Sequence, residues 1–309
     1  MRIAFVWDWK PDLEQTIQLN DGLQAALRVL ESRGHTVSKW IDSDAYETVG
    51  EFSSIKVMNT AAIDVILFWS DFTRPNIKPL SRLGIPMAIC FAGGEVITEN
   101  TPLFQHIFVE SQVYKTKLER EGYDNVSIAF GTNTELFKPT EQPKVFDTIF
   151  PATFAKWKRH DIYAPATKGL RSLAVGYMYP DSWEKECYED CLKNDVMVLP
   201  HVSAETLHRL YAASSVVVIT SLSSGGSQRT VLEAMAMNIP LVITDSDKFD
   251  YAWEHDQVFQ VAPTVEAVRG IVNLILENGF HVNTREYILE NWSEQTYADE
   301  LERGLEAIL

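Results

Sequence analysis

Cysteine is scarce in this sequence, which contains three residues of that type among 309. Three thiols cannot form the set of disulfide bridges on which small secreted scaffolds depend, so stability must come from apolar cores. Cys187 and Cys191 are four residues apart and share one face of a predicted helix. A zinc site would need a matching pair of Cys or His ligands, and the sequence offers none. We therefore expect reduced thiols in a packed helix and no bound metal ion.

Positive charge is also limited. The chain has 27 Lys and Arg residues against 43 Asp and Glu, a formal net charge of −16 at pH 7. Proteins that bind nucleic acid normally carry a basic stripe, and enzymes that lie on anionic lipid carry a basic helix. The densest basic cluster, KWKR at residues 156–159, is too short to clamp a duplex and suits a phosphate group better. Nucleic acid is therefore not an expected partner.

Long hydrophobic runs are missing too. A membrane-spanning helix needs about 20 consecutive apolar residues, and no stretch of the sequence approaches that length. The chain enters a predicted strand at residues 2–7 without the basic segment and cleavage site of a signal peptide. We expect a soluble, cytoplasmic protein without a transmembrane segment.

What the sequence does have is a regular alternation of strand and helix patterns, with a hydrophobic fraction of 46% that can fill two cores. The predicted strands are 2–7, 36–41, 65–69, 86–91, 107–110, 146–151, 173–176, 196–199, 216–220 and 240–244. The predicted helices are 19–32, 113–121, 204–214, 229–237, 265–277 and 284–309. This alternation favours βαβ units and parallel sheets.

A polar segment with two prolines, KPTEQPK at residues 138–144, is typical of a linker between domains. The predicted fold class is α/β, with two doubly wound Rossmann-like domains that face a cleft and bind ligands at the carboxyl ends of their strands. Residues 1–140 form the first predicted domain and residues 141–285 the second. Residues 286–309 are predicted helices that return toward the first domain.

The segment VVVITSLSSGGSQRTVLEAMAMNIPLVITD at residues 216–245 is the most informative part of the chain. Its small residues bring backbone N–H groups to the start of a helix, where anions bind. Arg229 adds a cation suited to phosphate, and Glu233, four residues later, shares its helix face. Such a site suits a nucleoside diphosphate, with a carboxylate for the ribose hydroxyls. The alternative is an ordinary turn with a surface ion pair of about 0.5 kcal/mol.

The amino-acid sequence of this segment resembles that of a known protein family. LEAMA at residues 232–236 and Ile239-Pro240 are similar to the donor site of retaining GT-B glycosyltransferases of the family-4 type, also called glycosyl transferases group 1. Further segments resemble the family in the same order along the chain: RGHTV at 33–37, FVESQVYKTKLEREG at 108–122, IAFGTNTELFKP at 128–139, KRHD at 158–161 and VLPHVSAETLHRLYAASS at 198–215.

The resemblance implies roles for individual residues. Glu233 would bind the ribose of the donor nucleotide, and Lys158 and Arg229 would bind its phosphates. The other implied donor-site residues are Gly131, Gly225, Gly226, Ser227, Gln228 and Thr230. The family's first motif glutamate falls on Gly225, so the Glu-x7-Glu motif is incomplete. The family's arginine before the lysine falls on Thr153, and Lys156 and Arg159 are candidate replacements.

The first domain would bind the acceptor. Glu95 follows two glycines and is a candidate base or sugar ligand, although the family's histidine is missing from that region. Asp8 follows the first strand, where family members contact phosphate and acceptor, and is the second candidate catalytic residue. No Asp-x-Asp element stands beside the phosphate loop, so we expect Lys and Arg to replace a metal ion.

Together these observations predict a hexosyltransferase that moves a sugar from a UDP- or GDP-linked donor to a hydroxyl of a glycan or small molecule. The reaction is expected to be retaining and metal-independent, with no cofactor besides the substrate nucleotide sugar. One alternative is a catalytically inactive GT-B-fold binding protein, suggested by Gly225 and the missing histidine. Another is a different GT-B enzyme, such as a DNA glucosyltransferase or an epimerase.

Overall fold

A computed structural model describes residues 1–7, 21–42, 48–49, 51–70, 76–91, 97–178, 182–222, 228–244 and 255–309. They form two compact units. Unit 1 comprises Met1–Gly131 and Glu294–Leu309, and unit 2 comprises Thr132–Ser293.

Both boundaries differ from the predicted ones, which lay at 140/141 and 285/286. The chain enters unit 2 at Thr132, whose N–H donates to the carbonyl of Trp292 at 2.9 Å. The guanidinium of Arg285 donates to the carbonyls of Thr134 and Phe137, at 3.0 and 2.9 Å. These hydrogen bonds attach the residues before the proline-containing segment to unit 2, so the boundary precedes the prolines.

The secondary structure of the described residues alternates as the sequence predicts. The strands are β1 (Arg2–Trp7), β2 (Thr36–Ile41), β3 (Thr48–Val49), β4 (Phe52–Ser54), β5 (Val65–Trp69), β6 (Met87–Cys90), β7 (His106–Val109), β8 (Val126–Ile128), β9 (Phe146–Pro151), β10 (Ser172–Val175), β11 (Met197–Leu199), β12 (Ser214–Ile219), β13 (Leu241–Thr244) and β14 (Val258–Val261). The α-helices are α1 (Gly22–Ser32), α2 (Ile77–Ser81), α3 (Gln112–Arg120), α4 (His160–Ala166), α5 (Ser182–Lys193), α6 (Ala204–Ala212), α7 (Arg229–Ala236), α8 (Val265–Asn278), α9 (Arg285–Asn291) and α10 (Glu294–Glu306).

Several helices begin and end at residues whose chemistry suits a helix terminus. The side chain of Asp21 accepts from the N–H of Gln24 at 2.8 Å before α1, and Ser203 accepts from the N–H of Thr206 at 3.3 Å before α6. Helix α8 ends at Gly279, which has a left-handed conformation with φ of 63°. Glycine adopts this conformation without a steric penalty, so the chain can turn there.

Unit 1 is built on a sheet with the strand order β3-β4-β2-β1-β5-β6-β7-β8. The strands pair in parallel except for β3 and β4. Side chains alternate along β1, so that Phe5 packs with residues of α1 and α10, whereas Val6 packs with residues of α2 and α3. Helices therefore cover both faces, as a buried parallel sheet requires.

The C-terminal helix α10 is attached to unit 1 by ion pairs and by close packing. Arg33, which follows α1, donates to Glu302 at 2.7 Å and to Asp299 at 2.6 Å. Gly304 lies against β7 so closely that a Cβ atom there would be 2.5 Å from the ring of Phe108. Because Phe108 is fully buried, its ring cannot move away, and glycine allows the two elements to approach.

Replacement of Gly304 by alanine should destabilise unit 1 by about 1–3 kcal/mol, because the added methyl group overpacks the contact with Phe108. Gly270 in α8 is the matched control, since no atom lies within 4 Å of the position its Cβ would take. Gly270→Ala should stabilise the protein by about 0.5–1 kcal/mol through helix propensity. Unfolding in guanidinium chloride measures the free energy of unfolding of both variants. Equal values for Gly304→Ala and the wild-type protein would contradict the close contact between Gly304 and Phe108.

Unit 2 is built on a sheet with the order β11-β10-β9-β12-β13-β14, in which all five strand pairs are parallel. From β9 the chain proceeds through β10 and β11 to one edge of the sheet, and from β12 it proceeds through β13 and β14 to the other. The strand order thus reverses between β9 and β12. In open parallel sheets, ligands bind outside the carboxyl ends of the strands at such a reversal.

The sequence-based elements around this reversal are confirmed, because the predicted strands 216–220 and 240–244 and the helix 229–237 correspond to β12, β13 and α7. Cys187 and Cys191 are free, buried thiols in α5, as predicted. The predicted helical region 284–309 consists of two helices, α9 and α10, separated at residues 292–293. Strand β14 was not predicted. Within the described ranges we find no helix that combines the length and hydrophobicity of a membrane span.

Candidate functional site

Two chain segments meet at the strand reversal of unit 2, one after β9 and one after β12. The hydroxyl of Thr220 donates to the carbonyls of Lys158 and Arg159, at 2.8 and 3.1 Å. The N–H of Leu222 donates to the carbonyl of Trp157 at 2.8 Å. The short 3₁₀ turn at Lys156–Lys158 is therefore fixed to the end of β12, and both segments contribute to one surface.

The segment after β9 holds a buried cation and a buried imidazole. Lys158 is 8% exposed, and His160 is completely buried. The His160 ring lies 4.7 Å from that of Phe154 and 4.8 Å from that of Phe150, and both of its nitrogens lack a hydrogen-bond partner in the described structure. Burial, and then the charge of Lys158, lower the pKa of His160 to about 3. The imidazole is thus neutral, and Lys158 supplies the positive charge.

Two hydroxyl groups near the segment after β12 are also buried without a partner among the described residues. They are the Oγ of Ser221, which directly follows Thr220, and the Oγ1 of Thr230 in the first turn of α7. Buried hydroxyl groups are normally hydrogen-bonded, so each of these two groups is suited to bind a polar ligand. Gln228 precedes α7 and does not cap the helix with its side chain.

Glu233 is fixed in α7 by a second side chain. It is 4% exposed, and its Oε2 accepts a hydrogen bond from the hydroxyl of Tyr211 at 3.0 Å. Burial, together with the neighbouring Glu233 carboxyl group, raises the pKa of Tyr211 well above its usual value. Tyr211 therefore remains a neutral donor at physiological pH. Glu233 is therefore not a solvated surface carboxylate.

The structure brings most of the described donor-site candidates together in unit 2. Lys158 lies on the β9 side of the reversal, and the remaining four lie in or directly before α7: Gln228, Arg229, Thr230 and Glu233. Gly131 is the last residue before the unit boundary and belongs to unit 1. Five predicted site residues lie outside the described ranges: Asp8, Glu95, Gly225, Gly226 and Ser227.

Of the two candidate replacements for the family's arginine, Arg159 already forms an ion pair with another residue. The guanidinium of Arg159 donates from Nε and Nη2 to the two carboxylate oxygens of Asp161, each at 2.9 Å. Arg159 also has a left-handed backbone conformation, with φ of 60°, which glycine adopts more readily. Its charge is thus directed to Asp161. Lys156, the other candidate, is exposed.

Sequence reasoning missed a stacked aromatic pair on the same edge of the sheet. Tyr177 follows β10 and His201 follows β11, and their rings are parallel with centroids 3.8 Å apart. The Tyr177 hydroxyl and the His201 Nε2 are 2.9 Å apart. The preceding residue is Gly176, where a Cβ would lie 1.9 Å from the carbonyl oxygen of Ala152, so only glycine allows this close approach of the backbones.

No group of three or more His, Cys, Asp or Glu side chains in the described part of the chain is arranged to hold a metal ion. Lys158, Arg229 and the first amides of α7 carry positive charge in this part of unit 2. Such groups bind anions, and a buried carboxylate beside them accepts hydrogen bonds from hydroxyl groups.

Replacing His160 by phenylalanine should reduce the acid sensitivity of unit 2. The imidazole pKa is about 3 in the folded protein and near its ordinary 6.5 in the unfolded chain. Since the folded value is the lower one, the stability that depends on the neutral ring is complete above about pH 6.5. It is lost as the pH falls toward 3, by at most about 1.4 kcal/mol per pH unit. Urea unfolding between about pH 4 and 7 should therefore give a shallower profile for His160→Phe, and parallel profiles would contradict this.

Comparisons with known proteins agree with the fold. The family model for glycosyl transferases group 1 matches residues 149–278, all of them in unit 2. No curated protein sequence matches the chain.

Similar solved structures cover the whole chain at low identity. HepE from Anabaena, in complex with UDP and glucose, has a TM-score of 0.77 and 16% identity, over 99% of this chain and 100% of that one. A glycosyltransferase from Rickettsia africae has a TM-score of 0.76 and 14% identity, over 99% and 98%. Sucrose-phosphate synthase from Thermosynechococcus elongatus has a TM-score of 0.75 and 15% identity, over 99% and 100%. The two parallel-sheet α/β domains are therefore those of the GT-B glycosyltransferase fold, and unit 2 contains the segment that matches glycosyl transferases group 1.

Proposed function

We propose that this protein is a glycosyltransferase that transfers a sugar from a UDP- or GDP-linked donor to a hydroxyl group of a glycan or small molecule. The observation that carries the proposal is the presence of a buried cation and a buried carboxylate in the two segments that follow the strands of one reversal. Lys158 lies after β9 and Glu233 lies in α7, and both are within the residues that match the family. The complex of HepE with UDP and glucose, in the same fold, supports a nucleotide-sugar donor.

Each side chain has a distinct role in this proposal. The Glu233 carboxylate, held by Tyr211, accepts hydrogen bonds from the ribose hydroxyls. Lys158 and Arg229 neutralise the diphosphate, on which negative charge increases as the sugar leaves. The hydroxyls of Ser221 and Thr230 and the first amides of α7 complete its hydrogen bonds. These groups are fixed before the ligand binds, so little reorganisation is needed in the transition state.

The nucleobase is assigned to the surface formed by Tyr177 and His201. Tyr177 follows β10, which pairs with β9, and His201 follows β11, which pairs with β10, so both lie at the carboxyl edge of the sheet that carries Lys158. Flat side chains at that edge can stack on a planar base. Burial lowers the pKa of His201, which keeps the ring neutral at physiological pH. A neutral pair suits an uncharged nucleobase.

Retention of the anomeric configuration is proposed from the resemblance of residues 232–240 to the retaining family. The second candidate function is a binding protein of the same fold without activity, favoured by Gly225 at the position of the family's first glutamate. Turnover of any nucleotide sugar eliminates that candidate.

Replacing Glu233 by alanine should weaken the binding of UDP or GDP at least about tenfold, since hydrogen bonds to a charged group are lost. Tyr211→Phe keeps the carboxylate and should weaken binding less. Glu233→Gln preserves an acceptor for Tyr211, so it separates loss of binding from loss of folding. Isothermal titration calorimetry on variants of confirmed melting temperature measures these effects. Wild-type affinity in both Glu233 variants would overturn the assignment.

Transfer should not require a divalent cation, because Lys158 and Arg229 neutralise the donor diphosphate. We expect the initial rate to be unchanged after treatment with EDTA and not restored by added Mg²⁺. Proton NMR of the fresh product should show the anomeric configuration of the donor. Loss of activity in EDTA with recovery in Mg²⁺ would refute metal independence, and an inverted product would refute retention.

A further inference from the structure

The sheet of unit 1 has a strand reversal of its own, between β1 and β5. From β1 the chain continues to β2 on one side, and from β5 it continues through β6 and β7 to β8 on the other. Ligands bind outside the carboxyl ends of the strands at such a reversal. The residues proposed to bind the donor, Lys158, Arg229 and Glu233, all belong to unit 2. The reversal of unit 1 is therefore a separate candidate site.

Two tryptophan side chains lie at this reversal. Trp7 is the last residue of β1 and Trp69 the last of β5, and the two are direct neighbours in the parallel register. Their rings stack, with centroids 5.7 Å apart and an angle of 22° between the planes. Trp7 is buried, whereas Trp69 is only partly buried. Aromatic surface of this kind is typical of the walls of a small-molecule site.

A buried amide without a partner is the second, independent observation. Gln24 in the first turn of α1 is completely buried, and neither its Nε2 nor its Oε1 makes a hydrogen bond in the described structure. Buried amides are normally paired, because leaving them unpaired costs free energy. A glutamine three residues after a helix cap often bonds back to the cap residue. Asp21 caps α1 by accepting from the Gln24 N–H, but the Gln24 side chain makes no return bond.

The amide and the two indoles belong to the same end of unit 1. Because β1, α1 and β2 form a parallel βαβ unit, α1 begins on the side where β1 ends. Leu23 of α1 is in one apolar cluster with Trp7, and Trp69 packs against that cluster. Side chains in a helix lean toward its N-terminus, so the Gln24 amide lies over the first turn of α1.

The charges at this end of unit 1 favour a neutral ligand. Asp21 is 3% exposed, and its carboxylate already occupies the positive end of the α1 dipole. A second anion is therefore disfavoured there. Gln24 is uncharged and offers N–H donors together with a carbonyl acceptor. Two adjacent hydroxyls of a sugar satisfy both groups, because one hydroxyl accepts from Nε2 and the other donates to Oε1.

We propose that this end of unit 1 binds the acceptor, and that the acceptor is a neutral sugar rather than a phosphorylated or carboxylated one. Two neighbouring hydroxyls of the sugar bind the Gln24 amide, and the ring packs against Trp69. Asp21 discriminates against anionic sugars by like-charge repulsion. Gln24 is thus a specificity-determining residue. The role as acceptor rests on the proposed function, whereas the binding of a neutral sugar does not.

The test measures the binding of the methyl glycosides of glucose, galactose and mannose, and of the matching uronic acids, by NMR without nucleotide and then with UDP or GDP. We expect at least one neutral glycoside to bind, and its uronate to bind at least about tenfold more weakly. Gln24→Leu should weaken binding of that glycoside at least about tenfold, since both hydrogen bonds are lost. The same variant should raise the melting temperature, because an apolar side chain replaces an unpaired buried amide.

Gln112→Leu is the matched control. Gln112 is the first residue of α3, also in unit 1, but it is exposed and its amide donates to the Thr116 hydroxyl at 3.1 Å. This variant should keep the wild-type sugar binding and should not raise the melting temperature. Trp69→Leu should weaken sugar binding more than Trp69→Phe, which keeps an aromatic face.

Transfer assays provide a further readout with the glycoside that binds. Gln24→Leu should raise KM for this acceptor at least about tenfold and leave KM for the nucleotide sugar unchanged. An equal rise in both KM values would contradict a role that is confined to the acceptor.

The proposal is overturned if no neutral glycoside binds under either condition, if Gln24→Leu keeps wild-type affinity, or if the uronates bind as tightly. A lower melting temperature of Gln24→Leu also contradicts it, because the amide would then be paired. Displacement of the glycoside by UDP or GDP overturns the acceptor role, since a transferase must hold both. Glycoside binding without affinity for any nucleotide refutes the proposed transferase activity, and with it the acceptor role. Nucleotide binding without glycoside binding refutes only the inference about unit 1.

Discussion

The hydroxyl of Thr220 joins the two sides of the strand reversal in unit 2, and the candidate site depends on that connection. Parallel pairing brings β9 and β12 side by side, but their carboxyl ends lead into segments that diverge. By donating to the carbonyls of Lys158 and Arg159, Thr220 holds the first segment against the second. Lys158 is thereby held at the carboxyl end of β12.

The cost of this arrangement lies in polar groups that are buried before any ligand is present. A buried ammonium, a buried carboxylate and an imidazole without partners each lose hydration on folding. In Lys158, Glu233 and His160 these groups occur within two short stretches of one unit. The rest of the sheet around them is apolar and hydrogen-bonded, so its stability can offset the free energy lost by burying these polar groups. Groups already stripped of water can interact strongly with a diphosphate, because no solvent must be displaced from them as charge develops.

The periodicity of the sequence was sufficient to predict the elements that position the site. Residues 216–244 show short β-branched runs around an amphipathic segment, and these local patterns determine β12, α7 and β13. The position of Glu233 on α7 followed from its spacing to Arg229, but its burial did not. Glu233 is hydrogen-bonded by Tyr211 of α6, which is 22 residues earlier in the chain, so spacing within α7 does not reveal this contact.

Other features were missed for the same reason. The unit boundary at Thr132 depends on hydrogen bonds from Arg285 to Thr134 and Phe137, across about half of the chain. The proline-containing segment at 138–144 predicts a linker from local sequence alone. It does not indicate which of the two units the residues before and after it pack against. The stacked pair Tyr177 and His201 comes from adjacent strands, so it too depends on the sheet order rather than on spacing along the chain.

The acidic character of the chain opposes an anionic donor only at long range. A net charge of −16 repels a nucleoside diphosphate, but at physiological ionic strength that repulsion decays over about 8 Å. At contact distance the buried Lys158 and the amides of α7 dominate, because little water screens them. A chain with a strongly negative surface can therefore bind an anion if the cation that receives it is buried.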